Sequence, residues 1–133
     1  MDEAHTVKPK QNFPDIGEVL FYMKKILVTG GAGFIGSHIT DRLIKDGHSV
    51  IVLDNLTTGF KEQVNSKAKF IKSDIKNLEE IAPHFTGVDY VFHLAARARI
   101  QPSIQDPAPT FHDNIIGTFN VLLASRDAGV KRV

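Results

Sequence analysis

"KKILVTGGAGFIGSH", residues 24–38, is the stretch on which the reading of the whole chain turns. An apolar, β-branched run ends at Thr29, glycines follow at positions 30, 31, 33 and 36, and apolar residues then return at Ile35, Ile39, Leu43 and Ile44 before Gly47. The first run suits a buried parallel strand, and the spacing after the glycines suits a helix stopped by Gly47. A second apolar run, "HSVIVLDN", closes on Asp54. A glycine triplet alone is a weak signal. Set between a strand and a helix, and followed by a second strand ending in an acid, it becomes a specific one.

Each glycine has a distinct expected task. Gly30 permits a tight turn out of the strand, Gly33 lets backbone N–H groups approach a diphosphate, and Gly36 allows close helix–strand packing. The diphosphate would rest on the helix N-terminus, where unpaired N–H groups and the helix dipole favour an anion. A P-loop is excluded, because "GFIGSH" offers no Gly-Lys-Ser/Thr. Asp54 ends the second strand, where a carboxylate accepts hydrogen bonds from both adenosine ribose hydroxyls. It would repel a 2′-phosphate, and "DNLTTG" holds no arginine to receive one, so NAD is expected rather than NADP.

Outward from this unit the two periods keep alternating. "AKFIKSD" reads as a third strand, "NLEEIAPHF" as a short helix and "VDYVFHLAA" as a fourth strand. A long helix is expected from about Thr110 to Ala128, with Ile115, Phe119, Leu122 and Leu123 on one face and Gly129 as its cap. "QPSIQDP" reads as the loop before it, and "VKRV" as the opening of a fifth strand. The expected architecture is α/β: a doubly wound parallel sheet, Rossmann-like and incomplete, ending at the start of the fifth strand. Residues 1–22 carry two prolines and mixed charge and read as a flexible N-terminal extension, leaving 23–133 as the N-terminal part of the domain.

Composition narrows the classes of function. The chain has 133 residues, 42% of them hydrophobic, and a net charge of +1, which suits one globular domain and gives no field for nucleic acid or an anionic membrane. No apolar run approaches the roughly 20 residues of a membrane span. Cysteine is absent, which excludes disulfides and thiolate metal sites and fits a cytoplasmic protein. No metal site is expected.

Taken in order, "TGGAGFIGSH", "DNLTTG", "SDI", "VFHLAA", "DNIIGTFNVLLAS" and "GVKRV" resemble the extended short-chain dehydrogenase/reductase family, specifically its NAD-dependent nucleotide-sugar epimerases and dehydratases of the UDP-glucose 4-epimerase type. The resemblance runs from Lys24 to Val133. It implies that Gly30, Gly33, Phe34 and Ile35 line the NAD diphosphate, and that Asp54, Asn55, Thr58 and Gly59 surround the adenosine ribose. It further implies that Asp74 and Ile75 contact the adenine, that Leu94, Ala95 and Ala96 pass beneath the nicotinamide-side ribose, and that Asn114, beside Asp113, braces the strand ends. His93 reads as a hydrogen-bonded core histidine rather than a base. Arg97 and Arg99 stand where a substrate-side loop begins and read either as a diphosphate contact or as a solvated pair; Ser103 is a weaker substrate candidate.

In this family a Ser or Thr at the end of the fifth strand and a Tyr-x-x-x-Lys pair move the proton while a hydride passes to the nicotinamide. Neither tyrosine here can serve, since Tyr22 is followed four residues later by Ile26 and Tyr90 by Leu94. The resemblance therefore implies the NAD-binding portion of an enzyme acting on a nucleotide sugar by transient hydride transfer, with this stretch alone catalytically incompetent. The alternative is a non-catalytic NAD-binding module, or a half-protein completed by a partner. The apolar fourth strand would be an open edge, to be covered by a partner, a homo-oligomer or rearranged termini.

Overall fold

The computed structural model describes residues 22–133, so the reading of 1–22 as an extension lies, Tyr22 apart, outside the described residues. Four strands, β1 (Lys25–Thr29), β2 (Ser49–Asp54), β3 (Lys69–Lys72) and β4 (Tyr90–His93), form one sheet in the order β3-β2-β1-β4. Every pairing is parallel, and Ile26 of β1 stands between Val50 of β2 and Tyr90 of β4. Parallel neighbours need crossovers. α1 (Phe34–Lys45) links β1 to β2, a stretch with one 3-10 turn (Lys61–Gln63) links β2 to β3, and α2 (Leu78–Ile81) lies between β3 and β4; α3 (Ile100–Gln105), α4 (Pro107–Phe111) and α5 (Gly117–Asp127) follow β4.

Alternate strand residues face opposite sides of a sheet, and two cores result. Leu27, Ile51 and Leu53 pack with Ile81, Phe85, Val121 and Ala124 beneath α2 and α5. Val28, Val50 and Val52 pack with Leu43 and Ile44 of α1 on the other face. Burial on both faces is why β1 and β2 are continuous apolar runs rather than alternating ones. The doubly wound, Rossmann-like α/β architecture expected from the sequence is the one observed. At the far end Lys131 N–H donates to the Asp89 carbonyl (2.9 Å), Val91 N–H donates to that of Arg132 (3.0 Å), and Tyr90 bridges Arg132 in parallel. "VKRV" does begin to pair beside β4.

One expectation is corrected. "QPSIQ" forms α3 rather than a loop; Pro102 lies in its first turn, where a missing N–H leaves no intrahelical bond unmade. The helical run then begins at Pro107, capped by Asp106, and a π-helical turn (His112–Ile116) joins α4 to α5. The apolar face around α5 is turned outward. Ile115, Phe119 and Leu122 are 55%, 57% and 48% exposed, whereas Gly117, Asn120, Val121, Ala124 and Ser125 are buried. The helix sits too close to the sheet side for large residues: a Cβ on Gly117 would lie 2.7 Å from Ile75 Cγ1. Asn120 Nδ2 fixes that approach by donating to the carbonyls of Ile75 (3.0 Å) and Lys76 (2.9 Å). Among the described residues no helix is long and apolar enough to cross a membrane.

Candidate functional site

The sheet order reverses between β1 and β4, and a crevice opens there beyond the carboxyl ends of the strands, where open α/β sheets bind ligands. It is a cleft of about 310 Å³, walled by the residues that follow each strand. Gly30, Gly33, Phe34, Ile35 and Gly36 line it after β1; Asp54, Asn55, Thr58 and Gly59 after β2; Ile75 after β3; Leu94, Ala95 and Ala96 after β4. Asp74 and Asn114 stand just behind these walls, held to lining residues by hydrogen bonds.

The glycine turn is shaped by contact. Gly30 adopts φ +71°, open to glycine at no steric cost, and its N–H donates to the Leu53 carbonyl at 2.8 Å. A Cβ there would stand 2.7 Å from Ala95 N, so the turn and the 94–96 segment touch backbone to backbone. On Gly36 a Cβ would overlap the Gly30 carbonyl oxygen and lie 2.7 Å from Gly31 Cα, so this glycine closes the turn on itself as well as seating the helix. Gly33 is the N-cap of α1, with no side-chain cap and no acidic residue in the first turn, while Arg42 and Lys45 occupy the last. The first-turn amides are thus left without a side-chain acceptor, and the positive end of α1 faces the cleft.

Asp54 ties this turn to the next loop. Its Oδ2 accepts from Ala32 N–H (3.0 Å) and its Oδ1 from Leu56 N–H (2.8 Å). Leu56 has φ +60°, a left-handed conformation unusual for leucine, and the carboxylate bonds its amide. Phe60 N–H donates to the Ala32 carbonyl (3.0 Å), clasping the far end of the same loop to the glycine turn. Each carboxylate oxygen keeps one further lone pair, so the group can still accept from two hydroxyls.

Behind this wall runs a chain of charges. Asn55 Nδ2 donates to Asp74 Oδ2 (3.2 Å), and Lys76 Nζ bridges Asp74 (3.0 Å) and Asp113 (2.5 Å). Arg97 Nε pairs with the other oxygen of Asp113. Burial pushes the Asp74 carboxyl up, but the N–H and ammonium of Lys76 and the Asn55 amide outweigh it and hold the group below the usual carboxylate range. Asp113 raises Lys76 above the usual lysine value, against a smaller effect of burial. Asn114, in the π-helical turn, accepts from Arg97 N–H (2.7 Å) and donates to the Arg97 carbonyl (2.9 Å), so it does brace the segment after β4. Asp74 does not cap α2; Asn77 does, accepting from Glu80 N–H.

His93 is the hydrogen-bonded histidine expected: Nδ1 lies 2.7 Å from Thr29 Oγ1 and Nε2 2.8 Å from Thr118 Oγ1, and burial lowers its pKa. Ser103 donates to the Ile100 carbonyl (2.7 Å) within its own helix, which occupies its proton. Leu53, Thr57, Ser73, Arg97 and Asp113 also line the cleft and were missing from the expected cofactor set. Ser73 and Leu53 flank strand ends already marked by Asp54 and Asp74, so position relative to those acids was the available signal. Arg97–Asp113 had none, being a pair brought together only by the folding of α3, α4 and the π-helical turn.

These features suit a dinucleotide. An uncapped helix start faces the cleft, a carboxylate retains acceptor capacity for a diol, and the buried Ser73 hydroxyl in the wall has no hydrogen-bond partner among the described residues. Comparison with known proteins agrees. The model of the NAD dependent epimerase/dehydratase family matches residues 26–133. The solved UDP-glucose 4-epimerase of Thermotoga maritima, crystallised with UDP-glucose, is 47% identical with a TM-score of 0.79 over 80% of this chain and 35% of its own. That of Thermus thermophilus, a complex with NAD, is 42% identical with a TM-score of 0.76 over 80% and 35%. UDP-glucuronic acid decarboxylase 1 of Danio rerio is 40% identical over 81% of this chain and 26% of its own. The chain thus spans roughly a third or less of the length of these relatives. Sheet order, glycine turn, strand-end acid and family model all coincide over the same residues, and the chain belongs to the NAD dependent epimerase/dehydratase family.

Proposed function

We propose that residues 22–133 form the adenosine- and diphosphate-holding part of an NAD site in a nucleotide-sugar epimerase or dehydratase. The observation that carries this reading is Asp54: both oxygens are oriented by backbone amides of two different loops, and each keeps a lone pair for a ribose hydroxyl. The glycine turn and the first-turn amides of α1 receive the diphosphate, favoured there by the helix dipole. Asn55, Thr58 and Gly59 close over the ribose, Ile75 meets the adenine with Asp74 behind it, and Leu94, Ala95 and Ala96 form the floor toward the nicotinamide. NAD, when bound, supplies the hydride acceptor. Phe34 and Ile35, exposed at the mouth, exclude water from that end once a ligand lies against them.

The nucleotide sugar meets the adjoining cleft of about 370 Å³, which shares Thr58, Ala96 and Arg97 with the first. Arg97 is already paired to Asp113, so Arg99 is the cation in that wall left to meet a diphosphate. The proton transfer has no donor–acceptor pair in these 133 residues, because neither Tyr22 nor Tyr90 has a lysine four positions on. His93 does not replace it, since both ring nitrogens are engaged by threonines. The 133-residue chain therefore binds NAD without turning over a UDP-hexose. Calorimetric titration with NAD and NADP tests the binding, with NAD preferred; absence of NAD binding to folded protein refutes the reading. NAD-dependent conversion of a UDP-hexose by the chain alone would refute the second part.

A further inference from the structure

Thr29 Oγ1, wholly buried at the end of β1, has three polar neighbours besides its own carbon. Leu94 N–H (3.1 Å), shared with the Thr29 carbonyl, and Ala95 N–H (3.3 Å) both point to it, and His93 Nδ1 lies 2.7 Å away. A hydroxyl has two lone pairs and one proton. The two amides can only donate, so they take the lone pairs, and the proton must go to the third neighbour. That neighbour must accept. Nδ1 is therefore bare, the ring is neutral with its proton on Nε2, and Nε2–H donates to Thr118 Oγ1 at 2.8 Å. The ring thus spans from β1 to α5 with every hydrogen assigned.

We infer that His93 is a positioning residue for the cofactor floor: by accepting the Thr29 proton it holds the Thr29 lone pairs toward the amides of Leu94 and Ala95. This rests on the reading of the cleft as an NAD site, where the 94–96 segment is the floor. The geometry makes the consequence local. Gly30 packs on the same backbone atoms, a Cβ there standing 2.7 Å from Ala95 N, so a shift of the floor is a shift against the glycine turn. Without an acceptor at Nδ1, the Thr29 hydroxyl turns its proton elsewhere and the lone pairs leave the two amides.

The test separates hydrogen placement from ligand binding. Nitrogen-15 NMR of the wild-type chain should show His93 with Nδ1 unprotonated and Nε2 protonated. His93→Leu should speed hydrogen exchange at Leu94 and Ala95 by roughly three- to tenfold and weaken NAD binding to a similar degree. His93→Asn, whose carbonyl oxygen stands near the place of Nδ1, should retain both. A proton on Nδ1 in the wild type, or equal behaviour of folded Leu and Asn variants, overturns the inference. If the wild type takes no NAD, the reading of the cleft fails, and the ring-nitrogen signals and amide exchange still decide the hydroxyl's direction.

Discussion

Replacing Asp54 by asparagine changes almost no volume and removes one acceptor. Ala32 N–H at 3.0 Å and Leu56 N–H at 2.8 Å each use a different carboxylate oxygen. An asparagine oxygen can serve one of them, while its NH₂ group confronts the other donor to donor. The half-buried site keeps the local loss near the low end of the range for an unsatisfied donor, about 1 kcal/mol, which lowers the melting temperature by about 3–5 °C in a domain of this size. The effect on NAD should be larger. A ribose hydroxyl bonded to a carboxylate contributes about 1.5–3 kcal/mol, so losing one such acceptor weakens binding roughly 10- to 150-fold.

Calorimetry of wild type and Asp54→Asn with NAD and, in parallel, with ADP-ribose checks the assignment. Both ligands share the adenosine end, so both should weaken by the same factor. A folded variant with unchanged affinity refutes the reasoning. A loss confined to NAD would move Asp54 away from the adenosine ribose and refute it equally.

Other consequences are direct. Gly36→Ala should cost about 3 kcal/mol, because its Cβ meets backbone of the glycine turn, whereas Gly47→Ala, at φ +88° with open space around it, should cost only about 1 kcal/mol; urea unfolding compares them. Val121→Ala, fully buried, should cost about 2 kcal/mol, and Phe119→Ala, 57% exposed, less than about 1 kcal/mol; similar losses would contradict the observed face of α5. Burial lowers the folded-state pKa of His93 below 6.5, so the unfolded chain takes the proton more readily. Its stability contribution is complete above about pH 6.5 and is lost as pH falls toward the folded-state value. Unfolding free energies measured from about pH 8 to about pH 5 should show that slope in the wild type and lack it in His93→Asn. Asp74, held below the carboxylate range, adds a loss confined to pH below about 3.8, which Asp74→Asn should remove.

What could be read from sequence is what short-range chemistry fixes. The strand–glycine–helix unit and the acid at Asp54 announce themselves because turn, helix start and strand end lie within about thirty residues and each needs a particular residue type. The floor at Leu94–Ala96 and the brace at Asn114 came through resemblance rather than periodicity, since nothing in an apolar strand end says which amides a threonine 65 or 66 residues earlier will bind. The Arg97–Asp113 pair was invisible for a similar reason. Its partners are 16 residues apart and meet only because α3, α4 and a π-helical turn fold the intervening chain back.

The outward turn of the apolar face at α5 has a general cause. Hydropathy alone would bury the largest apolar residues of a helix, yet here Ile115, Phe119 and Leu122 are exposed and Leu123 is only half-buried. Seating on the sheet side is instead decided by how closely the helix axis can approach, and that favours the smallest side chains. Gly117, Val121, Ala124 and Ser125 recur at spacings of four, three and one, a stripe of small residues with Asn120 beside it to bond the Ile75 and Lys76 carbonyls. Where a stripe of that kind runs opposite a stripe of large apolar residues, close packing on a parallel sheet selects the small one. The large one is then left on the outside, as the continuation of Phe111 and Ile116, both also exposed, shows here.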